Sequence, residues 1–215
     1  GANGKGHTKE QALASGLMEL AERYSCFKYL QGKHSVSSWE EMLGNPFEIE
    51  DFCSQFMGGR LKIDYQKLRD AKIRWVRGST LEGEMVSLPI NLINSVLQGT
   101  NGMAAGNSFE EALLHAICEV IERHCLTIIE YLKLRTPVIK QESINSQIAL
   151  RLIERFKSIG LSPVVKDFSL GLGLPVMGVI IRFGKKECNI SAGVATHREE
   201  ALVRALTEIS QSLGV

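Results

Sequence analysis

One helix-sized motif occurs three times in this chain, and that repeat constrains the fold more than any other feature. With Ala12, Ala112 and Ala201 aligned, the seventh residue after each is a glutamate: Glu19, Glu119 and Glu208. Three positions further on stand Glu22, Glu122 and Gln211. Four positions before each glutamate the residue is polar: Ser15, His115 and Arg204. Apolar positions recur as well, as Leu13/Leu113/Leu202, Leu17/Ile117/Leu206 and Leu20/Val120/Ile209. The glutamates lie 100 and then 89 residues apart, too far for a stacked solenoid. The spacing suits three similar supersecondary units built around one site.

Each copy opens with glycines and a helix-start signal. Gly4 and Gly6, Gly102 and Gly106, and Gly193 precede the three helices. Thr8 with Gln11 and Ser108 with Glu111 fit a capping box, which satisfies the unpaired amides of a first turn. Thr196 and His197 ahead of Glu199 and Glu200 form a weaker version. The second helix is expected from about 108 to 134, stopping before Pro137. Between the helices the period changes to that of strands, over Ile73–Ser79, Glu84–Leu88, Pro163–Phe168, Pro175–Phe183 and Glu187–Ala195. Leu81-Glu82-Gly83 turns between the first two, and Gly184-Lys185 joins the last two. Ser143–Ile159 reads as a helix, and the stretch from Gly32 to Asp70 is irregular, with no role assigned. The sum is an α+β chain, three similar helix-bearing units against mainly antiparallel strands.

Residues at i, i+4 and i+7 of a helix lie within about 60° of one another. Ser15, Glu19 and Glu22 therefore share a stripe, as do His115, Glu119 and Glu122, and Arg204, Glu208 and Gln211. Leu13, Leu17 and Leu20 form a neighbouring stripe expected to face the core, which puts the acidic stripe at the edge of the buried face. One such motif alone is ordinarily a solvated surface with i,i+4 pairs such as Glu19–Arg23 and Glu119–Arg123. Three copies with matched flanks point instead to a shared site. Carboxylates gathered there raise one another's pKa unless a cation neutralises them. Magnesium, a hard cation with oxygen ligands, bridges carboxylates to substrate phosphates. Lys5 and Arg204 could balance phosphate oxygens, with Asn101, Asn107 and Gln211 as neutral contacts and Glu111 as a further acid.

Composition narrows the alternatives. Twenty-five basic residues against 24 acidic ones give no field for nucleic acid or an anionic membrane. No apolar run reaches the roughly 18 residues of a spanning helix, and Gly1–Gly6 does not read as a signal peptide. Cys26, Cys53, Cys118, Cys125 and Cys188 are odd in number and unpaired in spacing, which suits a reducing, cytoplasmic setting better than a disulfide frame or a zinc site. Cys118 and Cys125 read as packed helix residues, and Trp39 and Trp75 as core or loop anchors. Gly171-Leu172-Gly173 reads as a turn, lacking the rest of a dinucleotide fingerprint.

Gly4-Lys5-Gly6 with Ala14-Ser15-Gly16-Leu17-Met18-Glu19-Leu20-Ala21-Glu22-Arg23 resembles the first signature of the YcaO family. Asn101-Gly102-Met103-Ala104-Ala105-Gly106-Asn107, continuing into Glu111-Ala112 and Glu119-Val120-Ile121-Glu122-Arg123, resembles the second. Arg204-Ala205-Leu206-Thr207-Glu208-Ile209-Ser210-Gln211 resembles the third, and Asp167-Phe168-Ser169-Leu170-Gly171 also looks like the family. The resemblance implies a YcaO-like mixed α/β domain over residues 1–215 and a site for ATP and Mg2+. It implies that Glu19, Glu22, Glu119, Glu122 and Glu208 bind the metal. It likewise implies that Lys5, Ser15, Asn107, Glu111, Arg123, Arg204 and Gln211 contact the nucleotide. No catalytic residue is singled out, and His115, at the Ser15 position, receives no role.

In that family ATP activates a peptide amide by phosphorylating its oxygen. A side-chain nucleophile then yields an azoline, and a sulfide source a thioamide. The implied partners are a peptide or protein substrate and a leader-binding, sulfur-donating or methylthiotransferase protein, and a homodimer is compatible with the pattern. Family domains are longer at both ends, so the chain reads as a fragment, and whether the fragment itself is active stays open. Two alternatives stand beside amide activation. One is an accessory factor for ribosomal protein methylthiolation, the branch that the first two motifs resemble; the other is a nucleotide-binding regulatory module.

Overall fold

The computed structural model describes residues 4–57, 64–93, 99–184 and 187–214. In chain order its elements are α1 (Lys9–Leu30), β1 (Ser35–Ser37), α2 (Ile49–Met57), α3 (Tyr65–Asp70), β2 (Ile73–Ser79), β3 (Met85–Pro89), α4 (Phe109–Leu132), α5 (Gln147–Ser158), β4 (Val164–Asp167), β5 (Val176–Phe183), β6 (Glu187–Val194) and α6 (Arg198–Leu213). The strands form two sheets, β1-β2-β3 and β4-β5-β6, antiparallel at every pairing. This is the expected α+β class. Lys185 of the expected turn, residues 58–63 of the unassigned stretch and Gly1–Asn3 lie outside the described residues. The chain divides into two units, Gly1–Tyr24 with Asn101–Val215, and Ser25–Thr100.

The first unit is layered on β5, the middle strand of its sheet. Period-two alternation sends Met177, Val179 and Ile181 to one face, where they pack with Ile153 and Phe156 of α5 and Leu202, Leu206 and Ile209 of α6. Val176 and Ile180 go to the other face, against Cys118 and Cys125 of α4, with Phe168. A strand covered on both sides reads as a continuous apolar run, and Val176–Ile181 is one. Gly178 is required there, because a Cβ would fall inside the Phe168 ring. Cys118 and Cys125 are buried, the packed role expected of them.

Local chemistry sets the helix ends. Ser108 Oγ accepts from the Glu111 amide at 3.2 Å, and α4 closes with Lys133 in the left-handed region at φ 51°. The helix expected over 143–159 starts later, at Gln147, because Ser146 Oγ accepts from the Ala149 amide at 3.2 Å and caps the first turn there. Gly171 and Gly173 take φ of 76° and 85°, as a turn between β4 and β5 requires.

In the second unit, β2 and β3 form a hairpin in the register Ser79↔Met85 to Trp75↔Pro89. Gly83 turns between them at φ 87°. The stretch without an assigned role supplies β1, α2 and α3, and with Trp75 it builds a separate core. Trp39 and Trp75 meet edge to face at 5.0 Å. Their indole N–H groups donate to the Phe47 and Ser37 carbonyls at 2.9 and 3.1 Å, which satisfies the polar end of each buried ring.

The leucine stripe of α1 departs from expectation. Leu13, Leu17 and Leu20 are 65%, 57% and 56% exposed, and no residue of α1 is buried. The reason lies in the preceding loop. A Cβ on Gly4 would fall on the Ala12 carbonyl oxygen and lie 2.7 Å from the Gly16 amide, so this loop rests directly on the small-residue face of α1. That face, holding Ala12, Ser15, Gly16, Glu19 and Glu22, spans about 120° of the helix. The large residues are left on the opposite side.

Candidate active site

The same close approach recurs in the other copies. A Cβ on Gly106 would lie 2.5 Å from the Ala112 amide, as one on Gly6 would lie 2.7 Å from the Ala12 amide. Gly193, at the end of β6, meets Ala205 as Gly4 meets Gly16. The first two copies also share a cap. Gln11 Oε1 accepts from the His7 amide at 2.9 Å, and Glu111 Oε2 from the Asn107 amide at 2.7 Å. The latter bond holds the Glu111 carboxyl below its ordinary range. His197 caps α6 with no side-chain hydrogen bond, which is the weaker third version. Repeated sequence thus becomes repeated geometry, a glycine-bearing segment laid on a helix whose next polar stripe is the acidic one.

The three stripes converge within the first unit. Lys5 of the first copy forms an ion pair with Glu208 of the third. The Lys5 amide donates to Ser15 Oγ at 3.3 Å, which fixes the loop that carries it. Glu119 of α4 accepts from the Gly102 amide at 3.1 Å and stands 3.7 Å from Arg123, while Glu19 pairs with Arg23. Burial raises the Glu22 carboxyl, and Glu119 of the neighbouring helix and Glu19 of its own raise it further. Glu122 is pushed up to about 7, by burial first and then by Glu208 and Glu119, against the opposing pull of Arg123 and Lys5. The five glutamates are therefore linked electrostatically across α1, α4 and α6.

The remaining candidates surround them. Arg204 Nη2 donates to Glu200 at 3.1 Å and reaches His115 Nε2 at 3.5 Å. Asn107 and Glu111 sit at the start of α4, tied to each other. Lys5 and Gln211 line a cleft of about 350 Å³, with Arg155, Phe156, Ile159 and Thr207. The carboxylates lie outside that cleft's lining, and Lys5 belongs to both places. Sequence reasoning did not find the Gly102 amide, Arg155 and Phe156, or the partnership of His115 with Arg204. Only the last had a signal, since residues 115 and 204 are equivalent in the repeat.

Among the described residues, no three His, Cys, Asp or Glu side chains are closed to metal-ligating distance. The donor chemistry nevertheless fits a hard divalent cation. Every candidate ligand is a carboxylate oxygen, and Glu122 among them carries a raised pKa that a cation would relieve.

Of the three carboxylate-bearing helices, α4 and α6 pack on the antiparallel sheet, and the Lys5 loop before α1 reaches Glu208 of α6. The chain belongs to the YcaO family: the profile described as YcaO cyclodehydratase, ATP- and Mg2+-binding, matches residues 3–215. ATP and Mg2+ are the cofactors of that family. An uncharacterised protein of Methanothermobacter thermautotrophicus is 28% identical over 97% of this chain and 56% of its own length. The ribosomal protein S12 methylthiotransferase accessory factor YcaO of Escherichia coli is 28% identical over 99% of this chain and 41% of its own length. The chain thus spans about half the length of these relatives, or less. Its fold is shared with a heterocyclase solved in complex with substrate and cofactor, at a TM-score of 0.79 and 24% identity over 97% of this chain and 31% of that one. It is also shared with YcaO from Methanopyrus kandleri bound with AMPPCP and Mg2+, at 0.72 and 23% identity over 98% of this chain and 53% of that one.

Proposed function

We propose that this chain is the ATP- and magnesium-binding part of an enzyme that activates peptide backbone amides. The observation that carries the reading is the electrostatic linkage of Glu19, Glu22, Glu119, Glu122 and Glu208 across three helices, beside Lys5. These glutamates would hold Mg2+. Lys5 and Arg204 would meet phosphate oxygens, Ser15 would keep the Lys5 loop in place, and Asn107, Glu111, Arg123 and Gln211 would complete the nucleotide's surroundings. The cleft beside Lys5, with Phe156 and Ile159 as apolar lining, has the volume for the nucleotide's organic part. Amides are poor electrophiles, and ATP with Mg2+, when bound, supplies the phosphoryl group that makes the amide oxygen a leaving group. A side-chain nucleophile then gives an azoline with net loss of water, and a sulfide source gives a thioamide. The substrate is a peptide or protein, delivered with the help of a partner protein. The relative solved as a heterocyclase with its substrate supports this assignment. The five free thiols fit a cytoplasmic setting, and no helix among the described residues is long and apolar enough to cross a membrane.

The test is ATP hydrolysis by the full-length protein. Turnover is expected only with Mg2+ and is expected to vanish in Glu119→Gln and in Glu208→Gln; unchanged turnover in both variants would refute the shared site. A second reading, an accessory factor for methylthiolation of a ribosomal protein, is favoured by the named function of the E. coli relative. Mass spectrometry of candidate peptides separates the two. Loss of one water, or replacement of an amide oxygen by sulfur, supports amide activation, whereas unmodified peptide alongside Mg2+-dependent ATP turnover supports the accessory role.

A further inference from the structure

His115 stands between two groups of fixed hydrogen-bonding character. Its Nδ1 faces the Ala105 carbonyl oxygen at 3.3 Å, and its Nε2 faces Arg204 Nη2 at 3.5 Å. A carbonyl can only accept and a guanidinium can only donate. One protonation state of the ring satisfies both: neutral, with the proton on Nδ1 and the lone pair on Nε2. Arg204 Nη2 also donates to Glu200 Oε1 at 3.1 Å, so both hydrogens of that nitrogen are used inside the protein. Its Nε and Nη1 have no partner among the described residues.

We infer that His115 is a positioning residue for Arg204. With Glu200 it grips the guanidinium by one nitrogen and leaves the other two donors aimed together at an anionic ligand, the phosphates of the nucleotide. This inference rests on the reading of Arg204 as a nucleotide contact. A guanidinium held at one corner keeps its fork in a single orientation, where a free arginine would lose rotamer entropy on binding. The repeat supplies a parallel. Ser15, His115 and Arg204 occupy one equivalent position, and Ser15 in turn fixes the loop of Lys5 through its backbone amide. In the first two copies, then, this position holds a neighbouring cation in place. The charged groups beside the ring are Arg204, itself held by Glu200, and Glu111 of the same helix.

The experiment uses full-length protein with ring-15N histidine and Mg2+ plus a non-hydrolysable ATP analogue. Two-bond proton–nitrogen spectra of the wild type should show His115 as the Nδ1–H tautomer, a state less common than Nε2–H in free histidine. His115→Phe should weaken analogue binding about tenfold, and His115→Gln, which restores an acceptor, should recover it to within about threefold. Added to Arg204→Ala, His115→Phe should cost nothing further, since the two act as one unit. An Nε2–H tautomer, equal losses in the Phe and Gln variants, or additive losses in the double variant would each overturn the inference. Wild-type binding by Arg204→Ala would remove the nucleotide role of Arg204 and this inference with it. Amide activation would still stand as long as Glu119→Gln abolishes turnover.

Discussion

α1 and α6 carry the same motif and treat it in opposite ways. In α6 the apolar stripe is closed off, with Leu202, Leu206 and Ile209 at 2%, 0% and 0% exposure between α5 and the sheet. In α1 the equivalent leucines are more than half exposed. Yet the two copies still meet at their polar ends, since Lys5, from the loop before α1, pairs with Glu208 of α6. The comparison teaches that the invariant part of the repeat is the small-residue face on which the glycine segment rests, together with the acidic stripe beside it. The apolar stripe depends on what each copy packs against.

The largest test of this contrast is truncation of equivalent leucines. Leu206→Ala should lower unfolding free energy by about 3 kcal/mol, and Leu17→Ala by no more than about 0.5 kcal/mol, in denaturant titrations. Equal losses would mean that the α1 stripe is covered in solution. Next comes Gly193→Ala, whose Cβ would lie 2.5 Å from the Ala205 amide and 2.8 Å from Arg204 Cβ. It should cost about 2 kcal/mol and weaken nucleotide binding as well, because Arg204 moves with it. Caps follow. Thr8→Ala and Ser108→Ala should each cost about 1 kcal/mol, and His197→Ala close to nothing, measured as melting-temperature shifts. A matching loss at His197 would break the distinction between the first two copies and the third.

A further test of the same centre uses pH. Glu122 has its pKa raised from 4.5 to about 7 in the folded chain, so it binds its proton more tightly there than when unfolded. The stability this contributes is full below about 4.5 and is lost as pH rises through about 7. Without divalent metal, Glu122→Gln should flatten the stability profile in that window. Added Mg2+ should protect the parent protein most at the upper end, and a profile identical in parent and variant would show that Glu122 is well hydrated.

Much of the fold was legible because its signals are local. Ile73–Ser79 announced itself by β-branched and aromatic residues ending at a glycine turn, and Ser108 with Glu111 marked the start of α4. The second unit was opaque, since Trp39 and Trp75 build its core from segments 36 residues apart with no shared period. The outward turn of the α1 leucines was hidden for a related reason. Apolar residues encircle that helix, and only the contact of Gly4 with Ala12 and Gly16 decides which side faces in. Convergence of the three stripes could be read from their repetition. The partners of each carboxylate could not: a backbone donor such as the Gly102 amide leaves no trace in residue type, and the Lys5–Glu208 pair spans 203 positions.

The loop that carries Lys5 is tied to its own helix by the Lys5–Ser15, His7–Gln11 and Gln11–Thr8 hydrogen bonds, all within ten residues of sequence. Such short-range closure forms early and cheaply as a chain folds, because little loop entropy is lost. The cationic arm of the centre is therefore a local product of its first helix, held by contacts that need neither the sheet nor α4 and α6. Its pairing with Glu208, 203 positions away, is by contrast a long-range contact, so loss of α6 would leave the Lys5 loop's own hydrogen bonds intact.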